Sequence, residues 1–364
     1  MRVPFFLFLL FLSFVLVGQT KWHFTYWMPY DNNLNAWVDS INSMISTPEF
    51  SRNITVSLQV DRLGRGGMQR YQIDSNGVQL VGTVESDNSH SGLELEKYLK
   101  WVSEHFDAEN HAVIFLDHGG KLDEVGLDEF PTRRFLRIDS IRMALEKFNT
   151  WNEKQLELLY FQVCAKGSIE PMYEVSEVSS YILTSQNKLG APNFYYQSLF
   201  SSMASSLPKD GRELAKLIFE FEQNDMYSSI TLLETRYFLD VKKAFENFIK
   251  LVDSSADGLS WKSSYPLFIL YDGVYYWDII YFLKGFRTEG KELAELETLI
   301  NAIHHLINAH YINPVNLTMR DYCGLSLMAL GSNYSSALST YSHLRFFHDF
   351  PMESLFQRFF EMNK

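Results

Sequence analysis

The chain has 364 residues, long enough for one large or two ordinary domains, and its 46% hydrophobic and 21% charged content is ordinary for a globular protein. Lys and Arg number 32 against 44 Asp and Glu, a formal net charge of −12, which argues against a nucleic-acid partner because phosphate binding wants a basic surface. The 29 Phe, 20 Tyr and 7 Trp predict a thick aromatic core, some of which could instead line a peptide groove.

Arg2 precedes an apolar run from Val3 to Val17, followed by Gly18-Gln19-Thr20. A basic start, a short apolar segment and a small residue predict a secretory signal peptide over residues 1–18, and hence an exported protein. The run is short for a spanning helix, so no stable membrane insertion is expected after cleavage. Leu16 is bulky for a position three before the cut, which keeps an uncleaved anchor as the alternative.

Trp22 to Pro29 reads as the first strand, and Asp31 or Asn32 caps a helix from about Leu34 to Met44. Ile54 to Val60, Met68 to Asp74 and Val78 to Val84 read as three further strands joined by glycine turns. The Gly64-Arg65-Gly66-Gly67 cluster lacks the Gly-Lys-Ser/Thr ending of a phosphate loop, so it is read as a hairpin turn. Leu95, Leu99, Val102 and Phe106 stand at helical spacing between Leu93 and Phe106.

Two buried strands then each end on one reactive residue. Ala112 to Leu116 delivers Asp117-His118-Gly119-Gly120, and Leu156 to Val163 delivers Cys164. Near-continuous apolar runs separated by a helical segment predict a mainly parallel α/β sheet. Functional groups in such sheets gather at the carboxyl ends of the strands. An imidazole and a thiol at one edge are the minimum set for a thiol nucleophile, the thiolate attacking while the imidazole handles the proton. Between them, Lys121 to Asp139 reads as a charged loop, and Ser140 as the cap of a helix to Phe148.

Tyr181 to Ser185 reads as a further strand, and Leu189-Gly190-Ala191-Pro192 turns into a helix from Asn193. Helical spacing recurs over Arg212 to Glu222, Glu234 to Val252 and Lys291 to Ala309. His304, His305 and His310 form no i,i+4 pair with a glutamate, and no Asp-x-Asp-x-Asp-Gly loop is present, so no metal and no cofactor is expected. Cys164 and Cys323 are the only cysteines, and a disulfide between them would consume the nucleophile. A free Cys164 and an inert, buried Cys323 are the expectation. No repeat or low-complexity linker is visible, and three parts are expected: the signal (1–18), a core (19–210) and a helical and mixed carboxyl-terminal part (211–364) packed on it.

Around these motifs the chain resembles the clostripain family of cysteine peptidases, in the caspase-like group. The resemblance rests on Asp117-His118-Gly119, on Cys164 followed by Glu170, Tyr173 and Glu174, and on the opening Trp27-Met28-Pro29-Tyr30-Asp31-Asn32-Asn33-Leu34. Gln59-Val60-Asp61-Arg62 with Arg70-Tyr71, Trp277 to Phe282 and Gly324 to Leu327 extend it over residues 22 to 360. It implies a caspase-like three-layer α/β/α sandwich and a His118/Cys164 dyad, with the backbone N–H groups of Gly119 and Cys164 receiving the oxyanion. It also implies self-processing after a basic residue between the two, for which Arg133 or Arg134 is the candidate.

One departure bears on specificity. The family's usual Asp two residues before the nucleophile, which attracts a substrate Arg or Lys, is Gln162 here, and Asn193 in the second pocket position is also uncharged. An amide loses the full charge that favours a cation. Two functions follow from the residues: an exported, monomeric cysteine endopeptidase acting on peptides or proteins with altered specificity, or an inactive homologue that binds at the cell surface or in the periplasm.

Overall fold

The computed structural model describes residues 20–46, 52–222, 229–254, 260–262, 268–287, 290–313, 321–329 and 334–362. The expected signal, residues 1–18, lies outside them. No described helix is long and apolar enough to cross a membrane.

The first half of the chain alternates strands and helices. It runs β1 (Thr20–Tyr30), α1 (Val38–Ser46), β2 (Ile54–Arg62), β3 (Met68–Asp74), β4 (Gly77–Val84), α2 (Gly92–His105) and β5 (Ala108–Leu116). A short hairpin of β6 (Glu124–Asp128) and β7 (Arg134–Arg137) leads into α3 (Ile138–Asn152), β8 (Leu156–Gln162), α4 (Ile169–Glu174) and β9 (Ser179–Thr184). The second half carries α5 (Tyr195–Ser205), α6 (Gly211–Phe221), β10 (Ser229–Glu234), α7 (Phe238–Ser254), β11 (Ser260–Trp261), β12 (Phe268–Tyr271) and β13 (Val274–Asp278). It ends with α8 (Ile279–Leu283), β14 (Phe286–Arg287), α9 (Gly290–Leu306), β15 (Ile307–Ile312), β16 (Ser326–Met328), α10 (Tyr334–Tyr341), α11 (Arg345–Asp349) and α12 (Met352–Met362).

Nine strands form one sheet in the order β15-β10-β9-β8-β5-β1-β2-β3-β4. The five central strands, β9 to β2, pair in parallel, and both edges are finished by antiparallel pairs. Alternation along each central strand feeds two cores. In β5, Val113 and Phe115 join the core under α2, α3 and α7, whereas Ala112, Ile114 and Leu116 join the core under α1, α5 and α6. A period of two with both faces apolar is what a strand buried between helical layers requires. The result is the three-layer α/β/α sandwich that the sequence predicts.

Three local readings differ from the structure. The charged stretch after His118 is a hairpin of β6 and β7, in which Val125 and Leu136 pair and are both buried. The helix before β8 begins at Ile138 rather than beyond Ser140, with Arg137 at its cap position. The helix predicted to Ala309 stops at Leu306, and the chain continues as β15, antiparallel to β10. Pairing at the sheet edge overrides helical spacing there, since the last turn's backbone groups gain strand partners.

Candidate active site

Parallel pairing of β5 with β8 sets Leu116 opposite Gln162, so His118 and Cys164 leave the sheet two residues beyond matched positions. The two turns are in contact through backbone. A Cβ built on Gly119 would lie 2.0 Å from the Cys164 carbonyl oxygen, so only glycine fits at this crossing. Directly after the cysteine, Ala165 takes a left-handed φ of 53°, which bends the chain sharply away from the thiol.

The His118 turn is over-determined. Gly126 N–H donates to the His118 carbonyl (2.9 Å) and Gly120 N–H to the Glu124 carbonyl (3.1 Å), so these residues, flanking the Gly119–Val125 bridge, carry its bonds. That pattern leaves the Gly119 N–H out of the bridge. Tyr271 donates its hydroxyl proton to the Gly119 carbonyl (3.0 Å). Burial first, and the neighbouring Cys164 second, push the Tyr271 phenol above its ordinary range. From the other side the buried Lys166 ammonium donates to the carbonyls of Gly120 (3.1 Å), Lys121 and Leu122 (3.4 Å). Burial pushes its pKa down to about 7.

Asp117 faces away from the imidazole. Its carboxylate is buried and accepts from Leu127 N–H (2.7 Å) and from the Asn32 amide (3.0 Å), which also donates to the Pro29 and Leu127 carbonyls. Asp117 therefore ties the turn to the segment after β1. The imidazole is held by that same segment: Nε2–H of His118 donates to Asn33 Oδ1 at 2.7 Å. An amide oxygen can only accept, so this bond leaves Nδ1 as the proton acceptor of a neutral ring. Partial burial, helped by Arg133, holds the His118 pKa below its ordinary value despite Glu129 nearby. Asn33 and Tyr271 are site residues that the sequence did not single out.

Both cysteines are free. Cys164 is half-buried, with its sulfur 3.5 Å from both the backbone N–H and the carbonyl of Leu189. Cys323 is buried under β13 and α8, and burial pushes its thiol well above the ordinary range. The described contacts thus engage the thiol with Leu189 and the imidazole with Asn33 rather than with each other. Catalytic hydrogen bonds in ligand-free enzymes often tighten only when substrate arrives.

An open cleft of about 460 Å³ adjoins His118 and Gly119, lined in part by Glu129, Arg133, Lys188 and Asp272. Arg133, in the exposed tip of the β6–β7 hairpin, faces this cleft, whereas Arg134 lies in β7 and donates to His90 Nε2 (3.3 Å). Gln162 is fully buried beneath Cys164. It donates to Asn193 and to the Tyr196 oxygen (3.0 Å) and accepts from Tyr195 (3.0 Å), while Asn193 donates to Glu222 (3.2 Å). The two predicted pocket residues are therefore brought together, bonded to each other.

Glu170 and Glu174 serve the framework. Glu170 accepts from Ser168 and from Met328 N–H (2.7 Å), and Glu174 from Arg142 (2.8 Å) and Arg345 N–H (2.6 Å).

A sequence profile of the clostripain family matches residues 26–338. Among solved structures, a secreted C11 cysteine protease from Bacteroides thetaiotaomicron bound to an irreversible peptide inhibitor superposes with a TM-score of 0.68 at 15% identity, covering 88% of this chain and 96% of that one. An inactive zymogen C11 protease from Parabacteroides distasonis gives 0.68 at 14% identity over 92% of this chain and 99% of its own. A second secreted structure from Bacteroides thetaiotaomicron, iotapain, gives 0.66 at 11% identity over 91% and 99%. At such identities the likeness speaks for the fold. A search of curated protein sequences found no match.

Proposed function

This chain belongs to the clostripain family of cysteine peptidases, and from that premise we propose that it is an exported cysteine endopeptidase working through a His118/Cys164 dyad. The observation that carries the proposal is the backbone crossing at Gly119 and Cys164, which joins an imidazole turn to a thiol turn at one sheet edge. In the proposed reaction the Cys164 thiolate attacks the scissile carbonyl carbon, and His118 takes the thiol proton at Nδ1 and returns it to the departing amine. The oxyanion falls to the N–H groups of Gly119 and Cys164. Water then cleaves the thioester, with His118 again moving the proton.

Specificity differs from a charged first pocket. Gln162 and Asn193 spend their hydrogen bonds on each other and on Tyr195, Tyr196 and Glu222, so selection of Arg or Lys by a buried carboxylate at position 162 is not available. Self-processing is proposed at Arg133, which is exposed on the hairpin tip and faces the His118 cleft, in preference to Arg134. Export rests on the apolar start of the chain and on the secreted relatives of the same fold. Substrates are proposed to be peptides or proteins, and the acting form a monomer of one core with its carboxyl-terminal part.

The experiment is turnover of a mixed-peptide library by the purified chain under reducing conditions beside Cys164→Ala. Cleavage lost in the variant supports the nucleophile, and the residue preceding the cuts reports what the Gln162 pocket selects. If neither protein cleaves, before or after nicking at Arg133, the chain is the inactive binding homologue.

A further inference from the structure

The crossing between the two catalytic turns leaves room only for glycine at two successive positions. A Cβ on Gly119 would lie 2.0 Å from the Cys164 carbonyl oxygen, and one on Gly120 would lie 2.7 Å from Glu124 Cβ and 2.9 Å from the Phe135 ring. Two glycines in a row are also the softest backbone a chain can have. Left free, they would let the peptide plane that carries the Gly119 N–H swing, and that N–H is the donor the proposed reaction relies on.

Each plane of this stretch is tied instead. The His118 carbonyl accepts from Gly126 N–H (2.9 Å), which in a trans peptide aims the Gly119 N–H the opposite way, out of the hairpin. The next plane is held at both ends, its Gly119 carbonyl by the Tyr271 hydroxyl (3.0 Å) and its Gly120 N–H by the Glu124 carbonyl (3.1 Å). In the plane after that, Lys121 N–H donates to Glu124 Oε2 (2.9 Å), and the Gly120 carbonyl accepts from Lys166 Nζ (3.1 Å). The same Nζ donates to the carbonyls of Lys121 and Leu122. Three carbonyls match the three N–H bonds of an ammonium; a neutral amine has only two.

Lys166 is fully buried, with Glu124 and Asp272 as the nearby opposite charges and Arg137 of its own sign. A buried ammonium is costly unless it is bonded or paired. An apolar side chain of similar length would fill the same space without that cost, so what the lysine adds is its hold on the three carbonyls. Its own base is fixed as well. Ala165 N–H donates to the Asn187 carbonyl (3.0 Å) and Gly167 N–H to that of Ser185 (2.7 Å), so the residues on either side are bonded to the chain leaving β9.

We propose that Lys166 is a positioning residue for the oxyanion: from the nucleophile's own turn, its ammonium stiffens the glycine pair and so presents the Gly119 N–H to the substrate's carbonyl oxygen. The role rests on the peptidase reading and adds a residue to it. It differs from electrostatic help to the thiolate, and the two can be told apart.

The test compares two reactions of Cys164 in the full chain, as wild type, Lys166→Met and Lys166→Gln. Peptide cleavage passes through an oxyanion, whereas alkylation by iodoacetamide displaces iodide at a saturated carbon and forms none. Both are measured at a pH above the titration of the thiol. Lys166→Met is expected to lower kcat by about 100-fold at nearly constant KM, while alkylation changes by less than about threefold. Lys166→Gln keeps two N–H donors, should lose about tenfold in kcat, and carries the test if the methionine variant does not fold. Equal falls in cleavage and alkylation would overturn the proposal, since Lys166 would then act on the thiolate. Unchanged kcat in a folded variant would overturn it too.

Amide hydrogen exchange over residues 117–126 reads the clamp without turnover. It is expected to quicken by about tenfold or more at Gly120 and Lys121 in the variants, with β5 and β8 as protected as in the wild type. Unchanged exchange would overturn the clamp whether or not the chain cleaves. Faster exchange in the variants of a chain whose wild type cleaves nothing would refute the peptidase reading alone.

Discussion

Cys164 has two very different surroundings. Toward His118 lies an open cleft edged by charges of both signs, Glu129, Arg133, Lys188 and Asp272. Beneath it lies a buried cluster of amides and phenols, where Gln162 bonds Asn193, Tyr195 and Tyr196, and Asn193 in turn donates to Glu222. The reactive groups are set by backbone: matched strand ends, a glycine crossing and a left-handed residue after the cysteine. The selective groups are set by hydrogen-bond saturation, and a saturated buried amide has little left to offer a ligand. Reactivity and selectivity at one cysteine are therefore separable in this fold.

The largest test of the open side is removal of the nucleophile. Cys164→Ala is expected to lower turnover by about 10⁴-fold or more, with an unchanged thermal midpoint. Measurable turnover at near wild-type rate would move the chemistry elsewhere. His118→Ala is expected to cost about 10²- to 10⁴-fold, read as kcat on a library-derived peptide. Asn33→Ala leaves the imidazole in place but unheld, and should lower kcat by about 10- to 100-fold while KM stays constant. A rise in KM alone would make Asn33 a binding residue instead.

The closed side is sharpened by Gln162→Asp. Aspartate can accept from Tyr195 and Tyr196 but cannot donate to Asn193, so the variant should lose about 1–3 kcal/mol of stability by denaturant titration. It should also gain roughly tenfold in preference for Arg or Lys before the scissile bond. Unchanged selectivity would show that this pocket does not read the substrate. The smallest effect is on pH. Burial holds the His118 pKa below 6.5, so the neutral, proton-accepting ring persists to lower pH than usual. The acid limb of kcat/KM should fall below that value; a limb above it would mean that an acidic neighbour dominates the ring instead.

What was legible in the sequence follows the same division. β5 and β8 are continuous apolar runs, so their ends, and with them His118 and Cys164, could be placed from periodicity alone. Gln162 and Asn193 were named together through the family resemblance; their mutual bond, and the phenols that close it, depend on α5 packing over the sheet. Asn33 and Tyr271 stand 85 residues from His118 and 152 from Gly119, beyond anything local spacing can report. Lys166 stands two residues after Cys164, and its role cannot be read from local spacing. In the fold it is the clamp on the loop after His118.

The most direct test of the account is the rate at which iodoacetamide modifies each cysteine at neutral pH, followed by peptide mass in the wild type and in His118→Ala. Cys164 is predicted to react much faster than the buried Cys323, and to slow by about tenfold or more when the imidazole is removed. Equal rates at the two cysteines, or a Cys164 rate indifferent to His118, would contradict the dyad on which the account depends.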